Sequence, residues 1–178
     1  MRALRLLLAA QLGFFALWGG YLLTSHDGAA TVWLETEPVD PRDLLSGHFV
    51  ALRYVIAATD VGDCAAPAGA APGAPVWVRV ATGGRSVRTP EGSVPLAEAV
   101  ACSAMAPAAA PGEIWIAGER TGDRGPGLGI AFGIERFYVP ETSPLRSARS
   151  GQVVAKVAVN DDSQARIVDL VPIRPVAP

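Results

Sequence analysis

Lysine is nearly missing from this sequence of 178 residues: Lys156 is the only one, and every other cation is an arginine. No Lys/Arg run occurs, and the net charge is only −2. A nucleic-acid binder needs a basic footprint, so that class of partner is excluded. Histidine and cysteine are scarce too, with two of each. There is no C-x-x-C pair and no grouping of His with Cys, so neither a structural zinc site nor any other metal centre is expected. A phosphate cradle is also missing. The stretch Gly122-Asp123-Arg124-Gly125-Pro126-Gly127 has the glycines but neither a following helix nor a Gly-Lys-Ser/Thr ending. No cofactor is therefore expected, and no internal repeat is present.

Apolar length is what the sequence does have, and it is concentrated at the start. Leu6–Leu23 is an almost unbroken apolar run in which Gln11 is the only strongly polar residue. As a helix, such a run rises about 27 Å, close to the hydrocarbon thickness of a bilayer. Trp18 and Tyr21 stand near its far end, where amphipathic rings favour the membrane interface. Arg2 and Arg5 precede the run, and the first charges after it are acidic: Asp27, Glu35, Glu37 and Asp40. The positive-inside rule then predicts a single-pass signal-anchor in the cell membrane, with a cytoplasmic N-terminus and a periplasmic or extracellular body. Residues 1–5 form the cytoplasmic flank, 6–23 the transmembrane anchor, 29–172 the body and 173–178 a flexible tail. A cleaved signal peptide is the competing reading. Its apolar region is usually about 7–15 residues long and ends in an A-x-A-like site. Here the run is longer, and Gly28-Ala29-Ala30 is a weak site placed late.

The body reads as short strands between turns. Thr31–Glu35 is a strand candidate. Pro38-Val39-Asp40-Pro41-Arg42-Asp43 is a turn, with φ fixed at two prolines and Asp side chains able to bond locally. His48–Ala57 alternates, with Val50, Leu52, Tyr54 and Ile56 on one face. Val76–Ala81 points Val76, Val78 and Val80 inward and Trp77 and Arg79 outward. Gly83-Gly84 is a hairpin-turn candidate leading into Arg85–Arg88. Leu96–Ala104 fits a short helix or a strand equally. Glu113–Gly118 is a strand, and Leu128–Val139 a strand interrupted near Gly133, since an internal glycine often marks a bulge. Asn160-Asp161-Asp162-Ser163 is a hairpin turn between Gln152–Val159 and Gln164–Val171. About seven strands with turn signals and no long helix in the body predict a mainly β fold, a single antiparallel sandwich or open barrel behind one transmembrane helix. Cys64 and Cys102 each lie in an Ala/Pro/Gly loop. They either staple the two loops or remain two thiols.

Two stretches carry a family resemblance. Gly47-His48-Phe49-Val50-Ala51-Leu52-Arg53-Tyr54 resembles the signature of the GDYXXLXY family of small bacterial and archaeal membrane-anchored proteins. Gly47, Leu52 and Tyr54 match it. His48 stands where the family has Asp, and Phe49 where it has Tyr. A role resting on that acid is therefore not carried over. The segment Pro38–Leu45 resembles the family's lead-in, Phe132–Glu141 a second family segment, and the Gln152–Leu170 hairpin its C-terminal end. The resemblance implies no activity. It implies a multipass membrane protein as partner, because members are often encoded beside one.

Each group that bears chemistry has a plainer reading beside the functional one. Arg42 can grip a carboxylate or phosphate, yet Asp40 and Asp43 can simply cap their turn and pair with it. Glu135, Arg136 and Glu141 flank an aromatic strand. A cross-strand pair such as Glu135 or Glu141 with Arg53 accounts for the charge on an apolar face, and a glycosidase-like carboxylate pair is the alternative. His48 can serve as a base but has no evident partner, and His26 is juxtamembrane. A signal-peptidase-like hydrolase would need Ser25 with Lys156. With Tyr54, the candidate binding residues are Arg42, Asp43, Glu135, Arg136 and Glu141. No catalytic set is assigned. The leading expectation is a non-enzymatic envelope accessory or assembly partner, held to lipid by Leu6–Leu23. It would contact its partner through Phe132–Tyr138 and Trp77, since aromatics and Arg favour interfaces. A membrane-bound hydrolase and a small-ligand-binding barrel are the alternatives.

Overall fold

The computed structural model describes residues 2–24, 30–38, 49–57, 71–108, 110–122, 129–139, 145 and 150–173. Among these residues one helix, α1 (Arg2–Thr24), precedes nine strands: β1 (Ala30–Glu35), β2 (Phe49–Ala51), β3 (Pro75–Thr89), β4 (Gly92–Ser103), β5 (Ile114–Arg120), β6 (Ile130–Ala131), β7 (Arg136–Tyr138), β8 (Val153–Val159) and β9 (Ala165–Pro172). Every residue of α1 from Leu4 to Trp18 is exposed. Phe14 stacks on Trp18 with ring centroids 5.8 Å apart. Among the described residues no helix is long and apolar enough to cross a membrane.

Seven strands form one sheet in the order β6-β5-β3-β4-β1-β8-β9, and β2 pairs with β7 in a separate ribbon. The fold is mainly β, as the alternation predicts. The sheet is mixed, however, and does not close, which corrects the expected antiparallel architecture. The exception is β1, which lies parallel to β4 with Leu34 opposite Ala97. Parallel neighbours need a crossover rather than a hairpin. Here β3, which runs antiparallel to β4, carries the chain back between them. The sheet also curls. The Ala117 amide of β5 donates to the Ser163 carbonyl at 2.8 Å, although three strands separate β5 from β8 in the sheet.

A second correction concerns Gly83-Gly84. It is not a turn. The chain continues straight through it in β3, and the hairpin reverses at Pro90-Glu91. There the Thr89 hydroxyl donates to the Gly92 carbonyl at 2.9 Å and accepts from the Glu91 amide. Gly92 adopts φ +129°, which suits only glycine. The glycine pair instead absorbs a register shift between Thr82 and Ser86. A Cβ at Gly83 would lie 2.5 Å from the Glu98 carboxyl carbon. Leu96–Ser103 resolves as strand, the second part of β4, and Ala104 lies past its end.

The valine alternation works as expected. Val76, Val78 and Val80 are buried, and Trp77 and Arg79 are half-buried. Val32, Leu34, Ile116, Val153, Ala155 and Val157 join them in the main core. Fully burying one such side chain stabilises by about 1.5–3 kcal/mol. Across the sheet, Leu96, Val154 and Val171 make a smaller core with Trp33, Val87 and Val94. The outer half of the β3–β4 hairpin thus covers this face, and Arg85 pairs with Glu35 at 2.7 Å. β8 is consequently buried on both faces, with only Lys156 half-exposed. The expected His48–Ala57 strand is shorter than predicted. It is β2, followed by a 3₁₀ turn at Val55–Ala57. The break near Gly133 is real, with φ +77° there separating β6 from β7. Cys102 is disulfide-bonded, and Cys64 lies outside the described residues.

Candidate functional site

The segments Val50–Tyr54 and Phe132–Tyr138 are about 80 positions apart and meet in space. In the ribbon Phe49 lies opposite Tyr138, Val50 opposite Phe137 and Ala51 opposite Arg136. The pairing continues beyond the strands, where the Leu52 amide donates to the Glu135 carbonyl at 2.8 Å. Alternation puts Val50, Leu52 and Tyr54 on the core side, all buried, with Ala51 and Arg53 exposed.

Tyr54 is the centre of this junction. It is 1 % exposed, and its hydroxyl donates to the Ile134 carbonyl at 2.8 Å. Burial raises its pKa far above the usual phenol range, and the nearby Glu135 charge adds to the effect. Glu135 accepts the Phe132 amide at 2.5 Å, closing the tight bend around Gly133. Thr36, at the end of β1, bridges to Tyr54. Its hydroxyl donates to the Val153 carbonyl at 2.5 Å and accepts the Gly151 amide at 2.8 Å. Arg53 donates its amide to the Ser150 hydroxyl at 3.1 Å and accepts the Glu37 amide at its carbonyl. The Arg53 side chain pairs with Glu37 at 3.5 Å rather than with Glu135, and Glu141, the other expected partner, lies outside the described residues. Four stretches of chain are thus tied at one point, and the polar groups of the knot named here bond one another.

The outer face of the ribbon is different. Arg136 and Ala51 are exposed, and Tyr138 is 71 % exposed. Phe132 and Ile134 are buried, which removes them from the aromatic contact surface expected from the sequence. Trp77 is half-buried. Of the other candidates, Arg42, Asp43, Glu141, His48, His26 and Ser25 lie outside the described residues. Lys156 sits on β8 with its ammonium 5.6 Å from the Trp33 ring, a cation–π contact. Among the described residues no three His, Cys, Asp or Glu side chains cluster as a metal site.

Sequence reasoning missed one cluster. Glu113 accepts the Arg79 guanidinium at 2.6 Å, the Trp115 indole at 3.1 Å and the Ala110 amide at 3.3 Å. These bonds, the indole's first, lower the Glu113 pKa. Arg79 also lies 6.0 Å over the Trp115 ring. The Glu-x-Trp spacing at the strand start was the available signal, since alternate residues share a strand face. Beside this cluster lies a half-open cleft of about 490 Å³, lined among others by Ala30, Pro107, Pro111, Trp115, Asn160 and Asp161.

The family model described as GDYXXLXY protein matches residues 11–170, and the chain belongs to that family. No curated protein and no solved structure matches it.

Proposed function

We propose that this member of the GDYXXLXY family is a membrane-anchored, extracytoplasmic β domain. It acts as a non-enzymatic accessory or assembly partner of a multipass envelope protein, which it contacts through the outer face of the β2–β7 ribbon. The observation that carries this reading is the division of labour in the ribbon that β2 and β7 form. Its buried side, at Leu52 and Tyr54, fixes the ribbon rigidly, and the opposite side presents Tyr138 and Arg136 to solvent. Rigid aromatic and arginine side chains make good interface anchors.

The anchor part rests on the sequence run Leu6–Leu23, which extends past the side chains described in α1 by Tyr21–Leu23. Leu6, Leu7, Leu12, Leu17 and Trp18 are each at least 55 % exposed, so the β domain leaves them uncovered. That much apolar surface in water is unfavourable, and lipid removes the cost. Arg2 and Arg5 at one end give the orientation, N-terminus in the cytoplasm.

Purification from membranes in mild detergent tests the partner. A stoichiometric membrane protein should co-purify with the wild-type chain. Tyr138→Ala and Arg136→Ala should lose it while still unfolding cooperatively. A clean monomer in mild detergent overturns the accessory role. Alkaline carbonate extraction and a C-terminal reporter fusion test the anchor. Release of the protein by carbonate, or a reporter active only in the cytoplasm, overturns it.

A further inference from the structure

We infer that the loop around Met105 is a second membrane contact, an apolar tip that rests in the lipid interface and orients the β domain. This rests on the anchor reading of α1. Residues 99–112 contain no charged side chain. Within that stretch Met105 is 77 % exposed, and its neighbours Ala104, Ala106, Ala108, Ala110 and Pro111 are exposed as well.

Part of the loop backbone is already paired, which suits a tip resting at the interface. An apolar medium leaves unpaired amides and carbonyls costly, so a lipid-facing loop must satisfy them internally. At the tip one side chain does so. Ser103 donates its hydroxyl to the Met105 carbonyl at 2.6 Å and accepts the Met105 amide at 3.1 Å. Pro107 and Pro111 have no amide to satisfy. The Ala110 amide goes to the Glu113 carboxylate, and the Ala110 carbonyl accepts the Glu113 amide at 3.0 Å. Glu113, the first charge after the loop, is bonded by Arg79 and Trp115. An arginine and an indole at such a position suit the boundary between headgroups and acyl chains.

Position agrees. Pro107, Ala110, Pro111 and Gly112 line the same cleft as Ala30. Ala30 starts β1, six residues after α1 ends at Thr24. A chain of that length reaches about 20 Å at most, so the loop is tethered close to the end of the anchor. Asp161 also lines the cleft, and it and Asp162 are exposed. They stay in water, which tilts the domain onto the Met105 side.

Depth-dependent quenching tests this in the full-length protein, reconstituted into phosphatidylcholine vesicles carrying bromine at chosen acyl positions. The variants are Met105→Trp and Trp18→Phe, each read as a difference from wild type. The emission added at 105 should be quenched mostly by bromines near the headgroup, and that of Trp18 by bromolipid as well. Tryptophan emission at 105 that no bromolipid quenches, whether blue-shifted by a protein neighbour or red-shifted by water, overturns the inference while the anchor stands. Loss of quenching at both positions overturns the anchor reading itself and this inference with it. An unchanged Tm for Met105→Trp confirms that the reporter leaves the fold intact.

Discussion

Tyr54 donates its hydroxyl to the carbonyl of Ile134 at 2.8 Å, across 80 positions of sequence. The bond joins the family signature to the bend that precedes β7, and it is buried. Tyr54→Phe keeps the ring and leaves the Ile134 carbonyl unpaired. An unsatisfied buried acceptor costs about 1–3 kcal/mol. For a domain of this size that lowers the Tm by about 2–4 °C per kcal/mol. Tyr54→Ala also empties core volume and should cost about 3–5 kcal/mol, the usual range for losing a large aromatic. Thermal unfolding of the two variants checks both figures and their order.

The same residue sets an alkaline limit. Its pKa is raised in the folded state, first by burial and then by Glu135. The fold therefore favours the neutral phenol. The stability this contributes is complete below the unfolded pKa of about 10. It is lost progressively as the pH rises from there towards the folded value, because the unfolded chain ionises first. Stability of the wild type should fall steeply above about pH 10, approaching ~1.4 kcal/mol per pH unit from this group. Tyr54→Phe should flatten that limb and leave the neutral region parallel to wild type. Denaturant unfolding at a series of alkaline pH values, with ultraviolet detection of phenolate, distinguishes the two.

Much of the fold was legible, because alternation at period two depends only on local side-chain direction. Alternation places Val50, Leu52, Tyr54 and Ile56 on one face, and all four are buried. The turn at Asn160–Ser163 was read from its polar residues and joins β8 to β9. What escaped is non-local. Nothing near Leu34 announces a parallel neighbour at Ala97. The meeting of Val50 with Phe137 depends on how the intervening strands are ordered. Gly83-Gly84 misled for a different reason. A glycine pair suits a tight turn, but it suits a close approach to a neighbouring strand equally, and here Glu98 occupies the space. Of the candidate site, Tyr54 and Glu135 were named from the sequence. Their roles as hydrogen-bonded joints, and the Glu113 cluster, needed the three-dimensional arrangement.

Thr36 carries a second buried joint, and its two bonds make a sharp comparison. The hydroxyl both donates, to Val153, and accepts, from Gly151. Thr36→Val keeps the shape and leaves one acceptor and one donor unpaired, so the loss should be about 1–3 kcal/mol. Thr36→Ser keeps both bonds and loses only a methyl, which should cost less. An order in which Val outperforms Ser would show that packing, not hydrogen bonding, holds this site. Equilibrium denaturation of both variants decides it.

Glu113 titrates as the mirror case to Tyr54. Its pKa is lowered, with the Trp115 indole bond the largest cause and the Ala110 and Arg79 bonds next. A depressed carboxylate contributes stability above its unfolded pKa and loses it as the pH falls through the folded value. NMR titration of the Glu113 carboxyl should give a midpoint below that of an ordinary glutamate. Trp115→Phe, which removes the indole donor, and Arg79→Met, which removes both a bond and a charge, should each raise that midpoint. A midpoint unmoved by either change would show that its partner does not hold the carboxylate.

Two glycines of neighbouring strands should respond oppositely to a methyl group. At Gly118 in β5 an added Cβ would lie 2.7 Å from Ile130 Cγ2, 2.8 Å from the Ala131 carbonyl oxygen and 3.0 Å from Phe132 Cδ1. One of these is backbone and the others belong to the packed β6 segment, so the neighbours have little room to give. Gly118→Ala should destabilise by about 1–3 kcal/mol, the range for overpacking a fixed contact. It should do so by prising β6 away, and with β6 the bend that carries Ile134. At Gly84 in β3 nothing lies within 4 Å of the added atom. Gly84→Ala removes backbone freedom from the unfolded chain without a native clash, and should stabilise by about 0.4–1 kcal/mol. If Gly84 were the apex of a hairpin with positive φ, as its sequence suggests, alanine would be strained there and the sign would reverse. The sign of the Gly84→Ala effect therefore tests in solution whether β3 runs unbroken to Thr89.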